Sequence, residues 1–368
     1  MVDTTATAAP AGIGWLTWRL GKELGPHARH DAATRALYSS DASNYRILPG
    51  LVVVPGSEDE LAAVVALAGE AGVPITMRGA GTSIAGNAIG AGVVIETSRL
   101  QRILAIDPEA RTATVQPGVV LADLNNHAAA HRLRIGPDPS THSRCTLGGM
   151  IGNDACGSRS VRWGTTAQNV LGLDVITAGG ERIRLAAPGP GELALPPAGL
   201  MGEPLRRFAA THEQLLRTEL TPWPRRVSGY PLDWLLPERG FDVARALVGT
   251  EATCVVVAGA TMRLWAPPVA KCLLVLGFAD DIAAAAAVPA LLTEQPFTVE
   301  SLTEELLALV GHRPSDELLP APAGAWLLVE AGGATAAEAQ DQALRLAATL
   351  GRDGASSDVR LLTTAAAQ

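Results

Sequence analysis

Residues 78–87 read RGAGTSIAGN, and this glycine-rich stretch directly follows the strand-like run Ile75–Met77. Clustered glycines let backbone N–H groups turn inward and approach an anion closely. Thr82 and Ser83 add hydroxyl donors to the same stretch, which we call the first glycine loop. Its composition favours a nest for the pyrophosphate of a dinucleotide, and a tight turn in a glycine-rich sheet is the simpler alternative.

Two better-known phosphate motifs do not fit this loop. The spacing that begins at Gly81 matches a P-loop, but Asn87 stands where that motif requires its lysine. A GxGxxG pattern begins two residues earlier, but Ile84 replaces its third glycine. A strand-like run at 93–95 follows, where a nicotinamide-binding fold would place a long helix. Both motifs are therefore rejected.

A second concentration of small residues comes later in the chain. Residues 136–140 read GPDPS, and residues 146–158, the second glycine loop, read TLGGMIGNDACGS. Glycines spaced this densely would let a large flat ligand lie against the backbone, and close helix packing is the other interpretation. Two such loops, each joined to short strands, favour a dinucleotide site more strongly than either loop does separately.

The order of these motifs resembles that of a known enzyme family. Val54-Pro55, both glycine loops, the Arg162-Trp-Gly164 triplet and Val248-Gly-Thr-Glu251 follow one another between about Leu37 and Leu264. The same succession is typical of the FAD-linked 2-hydroxy-acid dehydrogenases of the vanillyl-alcohol oxidase superfamily, which oxidise D-lactate, glycolate or D-2-hydroxyglutarate. The resemblance implies FAD as the cofactor.

In that family the first glycine loop cradles the FAD pyrophosphate, and the segment from Pro137 to Gly157 runs beside the isoalloxazine and adenosine portions. Relatives that bind FAD covalently often carry a histidine in the first loop. Thr82-Ser83 occupies that region here and Cys156 is not expected to replace it, so we expect noncovalent FAD. The resemblance implies these cofactor-binding positions: Arg78, Gly79, Ala80, Gly81, Thr82, Ser83, Gly86, Asn87, Pro137, Asp138, Thr146, Gly148, Gly149, Asn153, Ala155, Cys156, Gly157, Gly164, Val175, Gly249 and Glu251.

Two positions depart from the family pattern. Asp154 stands where relatives commonly have asparagine, and Ala252 follows Gly-Thr-Glu where glycine is usual. A carboxylate beside bound phosphates is unfavourable unless it faces a ribose hydroxyl or solvent.

The resemblance also implies hydride transfer from Cα of a D-2-hydroxy acid to flavin N5. A substrate carboxylate calls for a cation, preferably the bidentate fork of an arginine. Arg226 or Arg225 is the candidate clamp, with Ser228 and Tyr230 lining the flavin face, because relatives have a similar segment that ends in Gly-Tyr. A solvated basic pair after Pro224 is the alternative interpretation.

The catalytic base and the metal site of full-length relatives are missing. Those enzymes carry an HxxGDxNxH segment in the cap domain. Nothing in residues 265–368 matches it, and the one histidine of this stretch, His312, is expected at the surface. The chain could be truncated, could be a flavin-binding subunit whose partners supply the missing groups, or could use another base. Two other functions stay open: a UDP-N-acetylenolpyruvoylglucosamine reductase, and a noncatalytic flavoprotein.

The sequence predicts an α+β protein with two domains after an N-terminal segment, residues 1–36. An FAD-binding domain, residues 37–266, is expected to consist of two α/β subdomains, residues 37–117 and 118–266. Residues 267–368 are expected to form an incomplete, ferredoxin-like α+β cap domain. Within this plan Ser57, with Glu60 three positions on, predicts the start of a helix, and Gly179-Gly180 predicts the turn of a hairpin. We also predict two separate strands at Cys254–Ala258 and Thr261–Leu264, and a surface loop at 187–204.

Charge and composition exclude several other functions. The net charge of −8 argues against nucleic acid as a partner, and no apolar run is long enough to cross a bilayer. Four cysteines without CxxC spacing and the lack of a signal-like N-terminus favour a cytoplasmic protein with reduced thiols. His127 and His131 have metal-pair spacing but no third ligand nearby, so we expect no metal. The expected partners are a small 2-hydroxy acid and an electron acceptor, such as an iron–sulfur protein or subunit.

Overall fold

The chain forms two compact units in the computed structural model, which describes residues 10–188, 202–220, 226–310, 318–320, 324–351 and 358–363. Unit 1 consists of Met1–Ile135, Pro139–Ala155 and Thr165–Trp265. Unit 2 consists of Gly136–Asp138, Cys156–Gly164 and Ala266–Gln368. The bounds predicted for the N-terminal segment and the two subdomains stay a prediction.

The secondary structure alternates between short strands and helices. The helices are α1 (Ile13–Leu24), α2 (Ala32–Leu37), α3 (Glu58–Glu70), α4 (Leu121–Ala129), α5 (Leu147–Gly152), α6 (Ser160–Trp163), α7 (Thr166–Asn169), α8 (Glu203–Leu220), α9 (Val243–Ala246), α10 (Asp281–Leu292), α11 (Glu304–Val310) and α12 (Ala336–Gly351). The strands are β1 (Ala28–Arg29), β2 (Leu51–Val53), β3 (Ile75–Arg78), β4 (Val93–Glu96), β5 (Ile103–Asp107), β6 (Thr112–Val115), β7 (Arg134–Ile135), β8 (Val170–Ile176), β9 (Arg182–Ala186), β10 (Val256–Trp265), β11 (Ala270–Phe278), β12 (Thr298–Thr303), β13 (Ala325–Gly333) and β14 (Asp358–Leu362).

A four-stranded sheet in unit 1 carries the first glycine loop. Its strand order is β1-β2-β4-β3, with β2, β4 and β3 parallel and β1 antiparallel at the edge. Helix α3 begins where the sequence predicted, since the Ser57 hydroxyl accepts a hydrogen bond from the N–H of Glu60 at 3.1 Å. Its apolar stripe, which includes Leu61 and Val64, is fully buried with strands β2 and β4. The loop therefore starts at the carboxyl end of β3, on a well-packed α/β layer.

The second sheet of unit 1 is antiparallel and has the order β5-β6-β10-β8-β9, with β7 paired to β10. The prediction of two strands at Cys254–Ala258 and Thr261–Leu264 is wrong. Instead β10 runs unbroken through Gly259, because a register shift against β8 between Val257 and Gly259 absorbs the irregularity. The predicted β8–β9 hairpin is present, and Gly180 has the positive φ of 82° that its turn requires.

Unit 2 has the topology predicted for a ferredoxin-like domain. Strands β11 to β14 form an antiparallel sheet of order β12-β13-β11-β14, and helices α10 and α12 connect and cover them. This arrangement contains both βαβ halves of the ferredoxin-like motif. Within the described ranges, no helix of either unit is long and apolar enough to cross a membrane.

The side of the unit 2 sheet opposite α10 and α12 has its own small core around Trp326. This side chain is fully buried beside Val275, Leu307 and Leu319, and its Nε1 donates to the carbonyl oxygen of Pro320 at 3.1 Å. The indole therefore fills space between β13, helix α11 and the segment at 318–320.

Removing this indole should destabilise unit 2 strongly. We expect Trp326→Ala to lower the free energy of unfolding by about 3–5 kcal/mol, because it leaves a cavity and an unpaired carbonyl oxygen. Urea denaturation followed by circular dichroism measures the change. Trp18→Ala is the control, since that indole on α1 is 56% exposed, and its cost should stay below about 1 kcal/mol. Equal losses in the two variants would contradict this packing.

Candidate functional site

The side chain of Arg78, the first residue of the first glycine loop, holds the loop in place. Its Nη1 donates to the carbonyl oxygens of Ser40 and Ala88, both at 3.0 Å. Its guanidinium lies 5.2 Å from the centre of the Tyr38 ring, and a Cβ at Gly81 would be 2.5 Å from Nη2. The guanidinium is thus committed to shaping the loop, and a direct contact of Arg78 with the cofactor stays a prediction.

The next residues of the loop present unused backbone donors. In the part of the chain that the structure describes, the N–H groups of residues 80–83 form no hydrogen bond. The loop closes through Ser83, whose hydroxyl lies 2.5 Å from Oδ1 of Asn87, and Gly81 and Gly86 have φ values of 67° and 86°. Successive N–H groups without a protein partner, on a glycine-rich backbone, are what an anion-binding nest requires.

A second wall of the loop comes from residues 38–46, and the sequence patterns did not predict it. The N–H of Ala42 donates to the carbonyl oxygen of Gly81 at 3.1 Å, and Asp41 accepts from the N–H of Ala88 at 3.3 Å. Asp41 also accepts from the N–H of Ser43 at 2.9 Å, which makes a local Asx turn. In the sequence, this Asp-x-Ser pattern could have indicated the Asx turn at residues 41–43.

Tyr38 joins this wall to the strand beside the loop. Its hydroxyl donates to the carboxylate of Glu96, the last residue of β4. Burial raises the pKa of Tyr38 to about 12, and the hydrogen bond and charge of Glu96 act in the same direction. The phenol therefore stays protonated and keeps this bond over the whole physiological pH range.

The two glycine loops meet where Gly79 faces Thr146. A Cβ at Gly79 would lie 2.2 Å from the Thr146 hydroxyl oxygen, which is closer than any side chain could approach. Thr146 is buried and caps α5, because its hydroxyl accepts from the N–H of Gly149 at 3.2 Å. The lack of a side chain at Gly79 is therefore a condition for this junction.

The second loop, unlike the first, uses its backbone donors within the protein. Gly148 donates to the carbonyl oxygen of Pro117 at 2.8 Å, and a Cβ on Gly148 would be 2.7 Å from the Pro117 ring. The Gly249–Glu251 turn donates back to the loop, from Gly249 to Ile151 and from Glu251 to Gly152. These N–H groups hold the turn against α5. The second loop therefore offers a ligand a surface of small residues, whereas the first loop offers it N–H donors.

Both departures from the family pattern have left-handed backbones, which explains the residues that are usual there. Ala252 has φ of 62°, a conformation that costs least for glycine, and Asp154 has φ of 45°, which asparagine and aspartate tolerate. Asp154 does not face solvent. Its buried carboxylate accepts from the N–H of Ala167 at 2.7 Å and from the Thr165 hydroxyl at 3.2 Å, so it anchors the loop to the start of α7.

Several predicted cofactor positions belong to structures other than the two loops of unit 1. Val175 is buried in the centre of the six-stranded sheet, paired with Ile183 on β9 and Val257 on β10. Gly249 and Glu251 form their own turn in unit 1, and five predicted positions, two of them at the end of the second loop, belong to unit 2: Pro137, Asp138, Cys156, Gly157 and Gly164. The Asp138 carboxylate accepts from Nε of Arg159 at 3.1 Å, and Gly164 ends α6 with φ of 79°.

The predicted substrate segment lies near the second loop. The positive charge of Arg226 is close enough to lower the pKa of Asp154, in opposition to the effect of burial. The Tyr230 hydroxyl lies 2.5 Å from the hydroxyl oxygen of Thr253, just beyond the Gly249–Glu251 turn. Arg226 already has an anionic partner, because its Nη2 donates to Asp233 at 2.6 Å. Ser228 is exposed, whereas Arg225 and His312 lie outside the described residues.

Blocking the junction between the two loops should weaken cofactor binding. We expect Gly79→Ala to lower FAD affinity at least tenfold, or about 1.4 kcal/mol, because the new methyl group must displace Thr146 from its cap. Titration of the apoprotein with FAD, followed by flavin fluorescence, gives the dissociation constant. Gly21→Ala on α1 is the matched control, since nothing lies within 4 Å of its added methyl group. Unchanged affinity in Gly79→Ala would refute the junction.

The charge of Asp154 should make stability depend on pH. Burial raises the pKa of Asp154, although hydrogen bonds from Ala167 and Thr165 oppose the change. The folded state then binds this proton more tightly, so the associated stability is present below the ordinary pKa of 3.8 and is lost as the pH rises through the raised pKa. In Asp154→Asn the amide oxygen can still accept from the N–H of Ala167, and the amide nitrogen can donate to the Thr165 hydroxyl oxygen, so the uncharged variant should lack this loss.

The free energy of unfolding of Asp154→Asn should therefore rise relative to that of the wild type as the pH increases above the ordinary carboxyl pKa of 3.8, until Asp154 is ionised in the folded wild type. Urea denaturation at a series of pH values measures the difference. Asp123→Asn, on the exposed side of α4, serves as the control and should run parallel to the wild type. A constant offset between Asp154→Asn and the wild type at every pH would contradict the expected linkage.

Comparisons with known proteins agree with this geometry. Residues 49–186 match a family model described as an FAD binding domain. The chain is 32% identical over 289 residues to D-2-hydroxyglutarate dehydrogenase of Pseudomonas putida, covering 76% of this chain and 29% of that protein. It is 30% identical over 315 residues to glycolate oxidase subunit GlcD of Bacillus subtilis, covering 84% of this chain and 57% of the subunit.

The fold is also found among solved structures. Alkyldihydroxyacetonephosphate synthase superposes with a TM-score of 0.69 at 17% identity, over 99% of this chain and 63% of that one. The predicted fold of the vanillyl-alcohol oxidase type is therefore confirmed, and FAD is the cofactor of its binding domain. The first glycine loop contains no histidine or cysteine to tether it. The chain therefore contains an FAD binding domain and is similar to relatives named D-2-hydroxyglutarate dehydrogenase and glycolate oxidase subunit GlcD.

Proposed function

We propose that this chain oxidises a D-2-hydroxy acid of the D-lactate, glycolate or D-2-hydroxyglutarate class. The relatives from Pseudomonas putida and Bacillus subtilis are named for two of these substrates. The chain spans 29% of the length of the dehydrogenase and 57% of the length of the oxidase subunit. We therefore infer both the activity and the substrate from the site and from sequence similarity. The observation that carries the proposal is the row of unused N–H groups at residues 80–83, next to the Gly79–Thr146 junction.

This arrangement fits FAD. The pyrophosphate is an anion that needs several convergent donors, and residues 80–83 provide N–H groups at the carboxyl end of a parallel strand. The small residues of the second loop, such as Gly148 and Gly149, leave room for a flat group to lie against the backbone. The other cofactor positions implied by the family resemblance stay predictions.

Bound FAD would accept the hydride that leaves Cα of the substrate, while a base takes the proton of the hydroxyl group, so that the 2-hydroxy acid becomes a 2-keto acid. The protein's task is to hold the carboxylate and to orient Cα–H. We assign the carboxylate clamp to Arg226, with Ser228 and Tyr230 beside it. Arg225 is the other candidate that the sequence offers for this clamp.

The ion pair between Arg226 and Asp233 supports a positioning mechanism. Asp233 is buried and also binds Arg239 at 3.2 Å, so two cations share one carboxylate. Among the described residues, Nε of Arg226 is a buried donor without a hydrogen-bond partner. Asp233 therefore fixes the guanidinium while leaving it charge and a donor for a second carboxylate, which is the preorganisation that such a clamp needs.

The electrons must then leave the flavin. The relative in Bacillus subtilis is named as a subunit of glycolate oxidase, which supports an external electron acceptor such as an iron–sulfur protein or subunit. We place the reaction in the cytoplasm, since the four cysteines, all of them among the described residues, form no disulfide.

The first experiment is anaerobic mixing of the FAD-loaded chain with D-lactate, glycolate or D-2-hydroxyglutarate, followed by absorbance. Bleaching of the flavin band by one acid establishes the reductive half-reaction and selects the substrate. Bound flavin that none of the acids bleaches would contradict the activity of this chain alone and would favour a partner-dependent or noncatalytic flavoprotein.

The carboxylate clamp is tested with the substrate that bleaches the flavin. We expect Arg226→Lys to lower the second-order rate constant of flavin reduction by about 10- to 100-fold, because lysine keeps the charge but loses the planar guanidinium that Asp233 orients. Stopped-flow absorbance measures the rate. Arg217→Lys is the matched control, because Arg217 makes a comparable fork to Glu238, at 2.7 and 2.9 Å, on exposed helix α8. Similar rates in Arg226→Lys and the control would rule out the clamp.

A further inference from the structure

Residues 38–46, which contact the first glycine loop, have a fixed base of their own. The N–H of Ile47 donates to the carbonyl oxygen of Ser39 at 2.9 Å, and Nε of Arg46 donates to the Ser39 hydroxyl at 3.2 Å. Ser39 is buried. These residues and the first glycine loop all belong to unit 1. The segment is therefore closed at its base by bonds that do not involve the loop.

Asp41 organises the tip of this segment. Its Oδ1 accepts from the N–H of Ser43 at 2.9 Å and closes the Asx turn, and its Oδ2 accepts from the N–H of Ala88 at 3.3 Å. Burial acts to raise the pKa of Asp41, but the hydrogen bonds from Ser43 and Ala88 and the charge of Arg78 outweigh it and lower the pKa. The side chain is therefore an ionised acceptor of both bonds at neutral pH.

The Asx turn directs the N–H of Ala42 towards the first glycine loop. Such a turn engages the N–H two positions after the aspartate and leaves the intervening N–H for another acceptor. Here that N–H donates to the carbonyl oxygen of Gly81 at 3.1 Å. No peptide bond in the described ranges is cis, and in a trans peptide the carbonyl and the following N–H point in opposite directions. The N–H of Thr82 therefore points away from residues 38–46.

The contacts of Asp41 and Ala42 hold the loop on both sides of residues 80–83, whose N–H groups are unused within the described structure. Gly81 is confined between Ala42 and Arg78, since a Cβ there would be 2.5 Å from Nη2 of Arg78. Ala88 is fixed at both of its polar groups, because its N–H donates to Asp41 and its carbonyl oxygen accepts from Arg78 at 3.0 Å. The orientation of these N–H groups is thus set before any ligand binds.

We propose that Asp41 is a positioning residue for the pyrophosphate of FAD, because its turn directs Ala42 to Gly81 and thereby aims the N–H of Thr82 into the nest. The inference rests on the proposed assignment of residues 80–83 to the pyrophosphate. An anion bound by donors that are already oriented costs less ordering of the loop. Asp41 itself needs no contact with the cofactor, and the charge of Arg78 compensates its own.

The test uses the full chain loaded with FAD and three variants of Asp41. Asp41→Asn keeps an oxygen for the Asx turn without the charge. Asp41→Glu keeps the charge on a side chain that is one methylene too long for this turn, and Asp41→Ala removes both. Flavin fluorescence titration gives the dissociation constant of FAD for each variant. Phosphorus NMR of the bound FAD reports the surroundings of the pyrophosphate directly, and a loss of stability alone does not change them.

We expect Asp41→Ala and Asp41→Glu to raise the dissociation constant of FAD about tenfold and to shift the phosphorus resonances, because the bond from Ala42 to Gly81 is no longer oriented. Asp41→Asn should raise the dissociation constant by about threefold at most and keep resonances close to those of the wild type, since it loses only the bond from Ala88. The opposite order, with Asp41→Glu like the wild type and Asp41→Asn like Asp41→Ala, would make the charge decisive and would overturn the proposal.

Asp107→Ala is the matched control. Asp107 makes a similar local turn between β5 and β6 in the other sheet of unit 1, where its Oδ1 accepts from the N–H groups of Glu109 at 3.0 Å and Ala110 at 2.9 Å. Loss of this turn should leave both the affinity for FAD and the phosphorus resonances unchanged. Changes equal to those of Asp41→Ala would contradict a specific role for Asp41.

The phosphorus resonances separate positioning from stability. If Asp41→Ala melts earlier or binds FAD weakly but keeps the wild-type resonances, the proposal is overturned. If Asp41→Ala does not fold, wild-type resonances in Asp41→Glu overturn it instead. Resonances of wild-type-bound FAD that equal those of free FAD would overturn the assignment of residues 80–83 to the pyrophosphate, and a wild-type chain that binds no FAD would overturn the proposed function itself.

Discussion

The approach of the Gly79 backbone to the Thr146 hydroxyl is the constraint on which the candidate site depends. At this point a loop from the parallel sheet meets a helix N-terminus from the second half of unit 1, and a methyl group would already collide. Because Thr146 is also the cap of α5, one hydroxyl group orients the helix and sets how near the two loops come. Both glycine-rich segments therefore depend on one contact between backbone and side chain.

The two loops satisfy their backbone differently, and this difference suggests different tasks. The first loop is braced from outside by Arg78 and by residues 38–46, which leaves the N–H groups of residues 80–83 available for an anion. In the second loop, Gly148 donates its N–H to Pro117, and loop carbonyl oxygens accept from the Gly249–Glu251 turn. The loop is therefore held by the protein, and its small residues leave room for a flat group. A cofactor with a charged centre and a planar end matches this pair of surfaces.

Arginine supplies fixed geometry throughout a protein whose net charge is −8. Arg226 is paired with Asp233, and Arg159 bridges Asp138 and Glu330. In each case a buried or half-buried carboxylate holds a planar guanidinium in one orientation, at an energetic cost that ion pairs only partly offset. Arg78 does the same with carbonyl oxygens as acceptors. Positioned cations, more than a positive surface, characterise the chemistry available here.

Local patterns in the sequence determined most of the elements, because capping residues, glycine turns and apolar periodicity act within a few residues of one another. Ser57 at the start of α3, Gly180 in the hairpin and the family motifs could be interpreted in this way. Only the tertiary structure decided contacts between distant segments: the wall at 38–46, the buried anchor made by Asp154, and the bond from Arg159 to Asp138. The tertiary structure also decided that β10 continues through Gly259. Strand β10 pairs with β6 on one side and β8 on the other, and this pairing outweighs the tendency of glycine to interrupt a strand.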